Sequence, residues 1–63
     1  MRLTLAEWRR LKNISQEEMA NSCNVHVNTY RTWEKKPSEI RLSNAESISK
    51  RLGVPFSDII FMP

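Results

Sequence analysis

Apolar positions near the start of the chain recur at the spacing of one helical face. They are Leu5, Trp8 and Leu11. Thr4 and Glu7 stand three residues apart at the beginning of this stretch, which is the pattern of a capping box. In that motif each side chain accepts a hydrogen bond from the other residue's backbone N–H. The pattern predicts a first helix from about Leu5 to Lys12.

The same device recurs before a second apolar stripe. Ser15 and Glu18 have the capping-box spacing, and the stripe that follows comprises Met19, Ala20 and Cys23. Asn24 tolerates the left-handed conformation that ends many helices. The pattern predicts a second helix of little more than two turns.

A third helix is predicted from about Val27 to Lys35, with Tyr30 and Trp33 three residues apart on one face. It must end before Pro37, because a residue that precedes proline avoids helical geometry. Only a tight turn fits between Cys23 and Val27. The second and third helices are therefore expected to form a compact helix-turn-helix pair.

The rest of the chain predicts two more helices. The fourth carries an apolar face and ends at Gly53, and it starts at either Arg41 or Ser43, the latter with Glu46 as a further capping box. Its apolar face comprises Leu42, Ala45, Ile48 and Leu52. Pro55 fits the first turn of a last short helix. This last helix and the apolar tail after it contain Phe56, Ile59, Ile60, Phe61 and Met62. Nothing predicts a strand, so we expect an all-α fold of five short helices.

Size and composition favour one folded domain over residues 1–63. A chain this short buries only about 60% of its unfolded surface, so it cannot divide that surface between two cores. Hydrophobic residues make up 40% of the chain, which suits a globular domain. The net charge of +3 and a pI near 9.5 are compatible with phosphate binding, although charge alone is weak evidence for it.

Several classes of function are not expected. Cys23 is the sole cysteine, so the chain has neither an internal disulfide nor a thiolate zinc site, and a reducing cytoplasm suits it best. No apolar run predicts a signal peptide or a membrane span. We expect no enzymatic activity, cofactor or metal, because no nucleophile with a neighbouring base and no glycine-rich phosphate loop occurs.

A joint pattern in the middle of the chain carries more information than any single feature. In order it reads Ile14-Ser15-Gln16-Glu17-Glu18-Met19-Ala20, Cys23-Asn24-Val25, Thr29-Tyr30 and Trp33-Glu34. It resembles the Cro and lambda-repressor type of helix-turn-helix, the xenobiotic-response-element (XRE) family. That family shows an apolar residue before Ser-Gln-Glu-Glu-Leu-Ala, a Gly-Val turn and a Trp-Glu pair. The resemblance implies a lambda-repressor-like fold and a bacterial or phage-type transcriptional regulator, expected to be a repressor.

The resemblance covers nearly the whole chain. It extends to Trp8-Arg9 on the first helix and to the closing segment from Leu52 to Ile59. Four positions depart from the family pattern and concern local geometry. Asn24 replaces the turn glycine, Cys23 a leucine, His26 a serine or threonine, and Lys36 a glycine.

The face of the third helix opposite Tyr30 and Trp33 is predicted to enter the major groove of double-stranded DNA. Both helical geometry and the resemblance indicate Val27, Asn28 and Thr32 as base contacts. Asn28 suits the N6 and N7 edge of adenine, and Val27 and the Thr32 methyl suit a thymine methyl. Arg31 could read guanine or hold a phosphate.

A second set of residues is predicted to contact phosphates. The family uses Gln16, at the start of the second helix, to hold the DNA backbone. Lys35, Lys36 and Arg41 lie around the loop that ends the third helix, which is the recognition helix of this family. At least one of them is expected to bind phosphate, and the others could be merely solvated. His26 could cap the third helix, donate to a phosphate or simply be exposed.

The resemblance also implies a structural pair and a dimer. Arg9 and Glu34 occupy positions at which this family often joins the first helix to the end of the recognition helix. A homodimer on a palindromic operator is expected, because one short recognition helix reads few bases. Three alternatives stay open: an antitoxin with a protein partner, an interaction module without DNA binding, and the amino-terminal part of a longer repressor.

Overall fold

The computed structural model describes residues 1–61 and shows a small bundle of helices closed by a pair of very short strands. The strands and helices are β1 (Leu3–Thr4), α1 (Leu5–Leu11), α2 (Gln16–Ser22), α3 (Val27–Lys35), α4 (Leu42–Leu52) and β2 (Ile59–Ile60). Short 3₁₀ turns over Pro37–Glu39 and Phe56–Asp58 join the later elements. The predicted helical class is confirmed.

Helices α1 and α2 each begin at a capping box that the sequence predicts. The Thr4 hydroxyl accepts a hydrogen bond from Glu7 N at 3.2 Å, and the Glu7 carboxylate accepts one from Thr4 N at 2.9 Å. Ser15 and Glu18 make the corresponding bonds at 3.0 and 2.9 Å. Each motif satisfies backbone donors that a helix start leaves without partners.

Left-handed residues end two of the helices as predicted. Asn24 has φ 57° in the turn after α2, and Gly53 has φ 72° after α4. Asn13 has φ 58° between α1 and α2, a third left-handed position that the sequence analysis did not identify. Asparagine suits such positions because its short polar side chain reduces the steric cost.

Helix α4 begins at Leu42, with Arg41 as the N-cap residue. Of the two starts that the sequence left open, Arg41 is the closer one, because it is the N-cap residue directly before the first helical residue. No side chain caps this helix, so the predicted capping box of Ser43 and Glu46 is wrong. With Leu42 as the first helical residue, Ser43 lies inside the first turn, where its hydroxyl cannot act as an N-cap.

The core lies where the helices and β2 meet. Its fully buried side chains include Leu5, Met19, Tyr30 and Ile48. Two predicted apolar positions point outward instead, since Leu11 is 61% and Leu42 66% exposed. Both lie at the end of a helix, where no neighbouring element covers the apolar face.

The prediction of a fifth helix after Pro55 is wrong in its type of secondary structure. Phe56–Asp58 forms a 3₁₀ turn, and Ile59 and Ile60 form β2, which pairs in parallel with β1. The register places Leu3 opposite Ile59. The Trp8 indole Nε1 donates to the Asp58 carbonyl at 2.8 Å and holds the segment extended. Met62, predicted in the apolar tail, lies outside the described residues.

None of the helices in residues 1–61 has the length and apolar character that crossing a bilayer requires.

Candidate nucleic-acid interface

Helices α2 and α3 pack against each other across the turn at Asn24. Val25 N donates to the Ala20 carbonyl at 3.0 Å, which keeps the turn tight. On α3, Tyr30 and Trp33 are buried with their rings edge to face, 6.1 Å apart between centroids. One side of α3 is thereby anchored in the core, and the opposite side faces away from the domain.

The outward side of α3 carries three of the four predicted base-contact residues. Asn28, Arg31 and Thr32 are exposed. The Thr32 hydroxyl donates to the Asn28 carbonyl at 3.1 Å, so the hydroxyl is engaged with the helix backbone. Val27 is half-buried and packs against the core, which leaves only part of its side chain for a partner.

His26 is the N-cap residue of α3. Its Nδ1 accepts a hydrogen bond from Asn28 N at 3.0 Å. Of the three roles that the sequence left open, the structure shows the cap. An Nδ1 atom that accepts has no hydrogen to donate, which leaves Nε2 as the ring atom that can donate in this arrangement. The side chain is exposed, and Nε2 is directed away from the cap.

Arg9 and Glu34 form an ion pair between α1 and α3. Arg9 Nε lies 2.6 Å from Glu34 Oε2, and Arg9 Nη1 donates to the Ile14 carbonyl at 2.9 Å. The Arg9 and Glu34 side chains are only 12% and 9% exposed. The pair therefore fixes the end of the recognition helix and the loop before α2 to the first helix.

Gln16 joins this pair to the exposed face. Its Nε2 donates to Glu34 Oε1 at 3.0 Å, and its Oε1 accepts a hydrogen bond from Arg31 Nε at 3.1 Å. Arg31 Nη1 donates in turn to Asn28 Oδ1 at 3.0 Å. A continuous chain of hydrogen bonds thus runs from the interior of the domain to the outward side of α3.

The charges in this network stabilise each other. Burial alone raises the pKa of Glu34, but the hydrogen bond from Arg9, the nearby Tyr30 hydroxyl and the hydrogen bond from Gln16 outweigh burial. The pKa of Glu34 therefore lies below its usual value. The hydrogen bond to Glu34 also raises the pKa of Arg9. Both groups are charged at neutral pH.

The Tyr30 hydroxyl is buried next to this network. Burial, followed by the closeness of the Glu34 carboxylate, raises the pKa of Tyr30 well above its usual value. Its oxygen nevertheless has no hydrogen-bond partner of normal geometry within residues 1–61. Tyr30 thus stays neutral and acts as a packing residue at the base of α3.

The other predicted phosphate contacts surround the recognition helix. Lys35 and Lys36 are exposed at its end, and Arg41 is exposed before α4. Lys36 Nζ lies 3.9 Å from Glu39 Oε2, and both side chains are mostly exposed. Such a loose surface pair is worth little and is easily replaced by a phosphate.

Sequence reasoning missed the clamp that Gln16 and Asn28 place on Arg31. The Asn28–Arg31 contact has a local signal, because residues three apart on a helix are neighbours. The Gln16–Arg31 contact spans 15 positions of sequence and depends on how α2 packs on α3. No spacing in the sequence indicates it.

Comparison with known proteins agrees with this geometry. A family model described as "Helix-turn-helix" matches residues 5–59. Over 49 residues the chain is 35% identical to the cryptic phage CTXphi transcriptional repressor RstR of Vibrio cholerae. The alignment covers 78% of this chain and 44% of that repressor, so the chain spans less than half of its relative's length. No solved structure matches the chain.

Proposed function

The chain belongs to the helix-turn-helix family whose model it matches over residues 5–59, and we propose that it is the operator-binding part of a dimeric transcriptional repressor. The observation that carries the proposal is the two-sided character of α3. Tyr30 and Trp33 anchor one side in the core, and Asn28, Arg31 and Thr32 occupy the exposed side.

The dimensions of α3 suit the major groove of DNA. A helix with its side chains is about 10–12 Å across, and the major groove of B-DNA is about 12 Å wide. Only this groove presents a different pattern of donors and acceptors for each base pair. We therefore propose that the exposed residues of α3 contact base edges, with a smaller contribution from the half-buried Val27.

The residues around α3 are proposed to hold the DNA backbone. Gln16 keeps one amide hydrogen after its bond to Glu34, and His26, whose Nδ1 accepts the cap bond, has Nε2 left as a donor. Either group can donate to a phosphate oxygen. Lys35, Lys36 and Arg41 add positive charge beside the helix end. Contacts of this kind set the register on the duplex and carry no sequence information.

Apolar side chains near the end of the described residues support a dimer. Phe56 is 46% exposed and stacks on Phe61 at 4.9 Å between ring centroids. Ile60 and Phe61 are only half-buried. We propose that a second copy covers this surface, which would place two recognition helices on one face of the DNA.

Repression is the regulatory outcome that the relative favours, and we propose that it takes place in the cytoplasm. The similar protein from Vibrio cholerae is a phage transcriptional repressor. We propose that this chain likewise occupies a near-palindromic operator and blocks transcription. It would do so by binding alone, without catalysis.

Selection of duplexes from a random pool, followed by footprinting, tests the proposal. We expect one enriched sequence with two symmetric half-sites, about 34–36 Å or one helical turn apart. Failure to enrich any sequence would contradict specific DNA binding. A footprint limited to one half-site at saturating protein would contradict the dimer.

A further inference from the structure

We propose that Arg31 reads a guanine in the operator and that Gln16 and Asn28 act as positioning residues for its guanidinium. This inference rests on the proposed function, because it concerns how the exposed side of α3 would read a base.

The guanidinium of Arg31 is held from two helices. Its Nε donates to Gln16 Oε1 on α2 at 3.1 Å, and its Nη1 donates to Asn28 Oδ1 on α3 at 3.0 Å. Both acceptors are neutral amide oxygens, so they orient the guanidinium and leave its charge unbalanced. An exposed arginine held in this way keeps its attraction for an acceptor-rich ligand.

The remaining donors of Arg31 match guanine. A guanidinium has five N–H groups in one plane, and the bonds to Gln16 and Asn28 use one on Nε and one on Nη1. One hydrogen on Nη1 and two on Nη2 are left, so both terminal nitrogens of the guanidinium keep a donor. Guanine presents O6 and N7 side by side in the major groove, which is the acceptor pair that arginine binds with two hydrogen bonds.

The clamp is fixed to the interior of the domain. Gln16 Nε2 donates to Glu34 Oε1 at 3.0 Å, and Glu34 is paired with Arg9 in a site that is about nine-tenths buried. The orientation of the Gln16 amide is thereby set before DNA binds. Because Arg31 is already held, it loses less conformational freedom on binding than a freely rotating arginine would lose.

This geometry gives Asn28 a different role from the adenine contact that the sequence suggested. Pairing with adenine requires the amide oxygen of Asn28 to accept from N6 while its nitrogen donates to N7. In the structure that oxygen accepts from Arg31, which occupies one of its two acceptor positions and orients the amide toward the arginine. Asn28 and Arg31 should therefore specify the same base pair, and that base pair should contain guanine.

Duplex selection with a set of variants tests the inference. Arg31→Lys keeps the positive charge and removes the planar pair of donors. Asn28→Ala and Gln16→Ala each remove one of the two amide oxygens that hold the guanidinium. We expect the unmodified protein to select guanine at one symmetric pair of positions. Arg31→Lys should reduce the preference for guanine there by about tenfold or more. Asn28→Ala should reduce the preference at the same positions by a smaller factor, and Gln16→Ala should do likewise.

A matched control and three contrary outcomes complete the test. Arg10→Lys, an exposed arginine on α1, should leave the selected sequence unchanged. If Asn28→Ala relaxes a different base pair, Asn28 reads its own base and the inference fails. If Arg31→Lys weakens all duplexes alike and keeps the selected sequence, Arg31 binds phosphate and the inference fails. If the unmodified protein selects no sequence, both this inference and the proposed function fail.

Discussion

The Arg9–Glu34 pair links α1 to the end of α3 and also supports Gln16. Replacing either residue with Ala leaves the other charge largely buried without its partner. We expect each single change to reduce the free energy of unfolding by about 2–4 kcal/mol, slightly less than the loss of a fully buried pair. The double variant should lose less than the sum. Denaturant unfolding gives the free energy of unfolding of the unmodified protein, the two single variants and the double variant. If the losses of the single variants add up to that of the double variant within about 0.3–0.5 kcal/mol, the two groups do not interact.

Lys36 gives a second prediction for a single side chain. If it binds a phosphate, Lys36→Ala should weaken binding to all duplexes alike, because phosphates do not differ between sequences. The slope of log affinity against log salt concentration should become shallower by about 0.9, since one phosphate is no longer neutralised by the protein. Lys50→Ala, an exposed lysine on α4, is the control and should leave the slope unchanged. An unchanged slope for Lys36→Ala would show that Lys36 does not bind a phosphate.

The helix starts differ in a way that stability measurements can detect. Ser15 caps α2, whereas Ser43 lies inside α4 and makes no cap. Ser15→Ala should reduce the free energy of unfolding by about 0.5–2 kcal/mol, because Glu18 N loses the hydroxyl that accepts its hydrogen bond. Ser43→Ala should change it by less than about 0.5 kcal/mol. If Ser15→Ala and Ser43→Ala lost the same stability in thermal or denaturant unfolding, the capping box of Ser15 would not stabilise α2.

The stability of the domain as a whole should fall in acid. The pKa values of Glu7 and Glu18 are lowered by hydrogen bonds in the capping boxes, and that of Glu34 is lowered by its network. A carboxylate with a lowered pKa in the folded state adds stability above its unfolded pKa, near 4.5. That stability is lost as the pH falls through the lower, folded value. The melting temperature should thus be steady at neutral pH and drop below about pH 4.5.

A variant separates the contribution of the interior network from that of the caps. Glu34→Gln should lower the melting temperature at neutral pH and flatten its dependence on pH in acid. Glu46→Gln, an exposed position on α4, serves as the control. If Glu34→Gln kept the full acid dependence, the Glu34 carboxylate would not be among the groups that set it.

The sequence by itself determined the helical class, the starts of α1 and α2, both ends of α3 and the pairing of α2 with α3. The signals for these features are local. A capping box needs residues three apart, a left-handed stop needs one Asn or Gly, and an amphipathic face repeats every three to four residues. Two of the three predicted capping boxes, those of Thr4 and Ser15, formed as predicted, as did the stops at Asn24 and Gly53. The joint pattern from Ile14 to Glu34 also pointed to the family that the comparison found.

Only the tertiary structure decided the features that depend on residues far apart in sequence. Ile59 and Ile60 fit a helical pattern, but pairing with β1 and the bond from Trp8 to the Asp58 carbonyl make them a strand. Leu11 matched an apolar face that no neighbouring element covers. The clamp on Arg31 exists because packing brings α2 beside α3. Periodicity shows which face of a helix is apolar, whereas the partner of each side chain is set by the packing of distant elements.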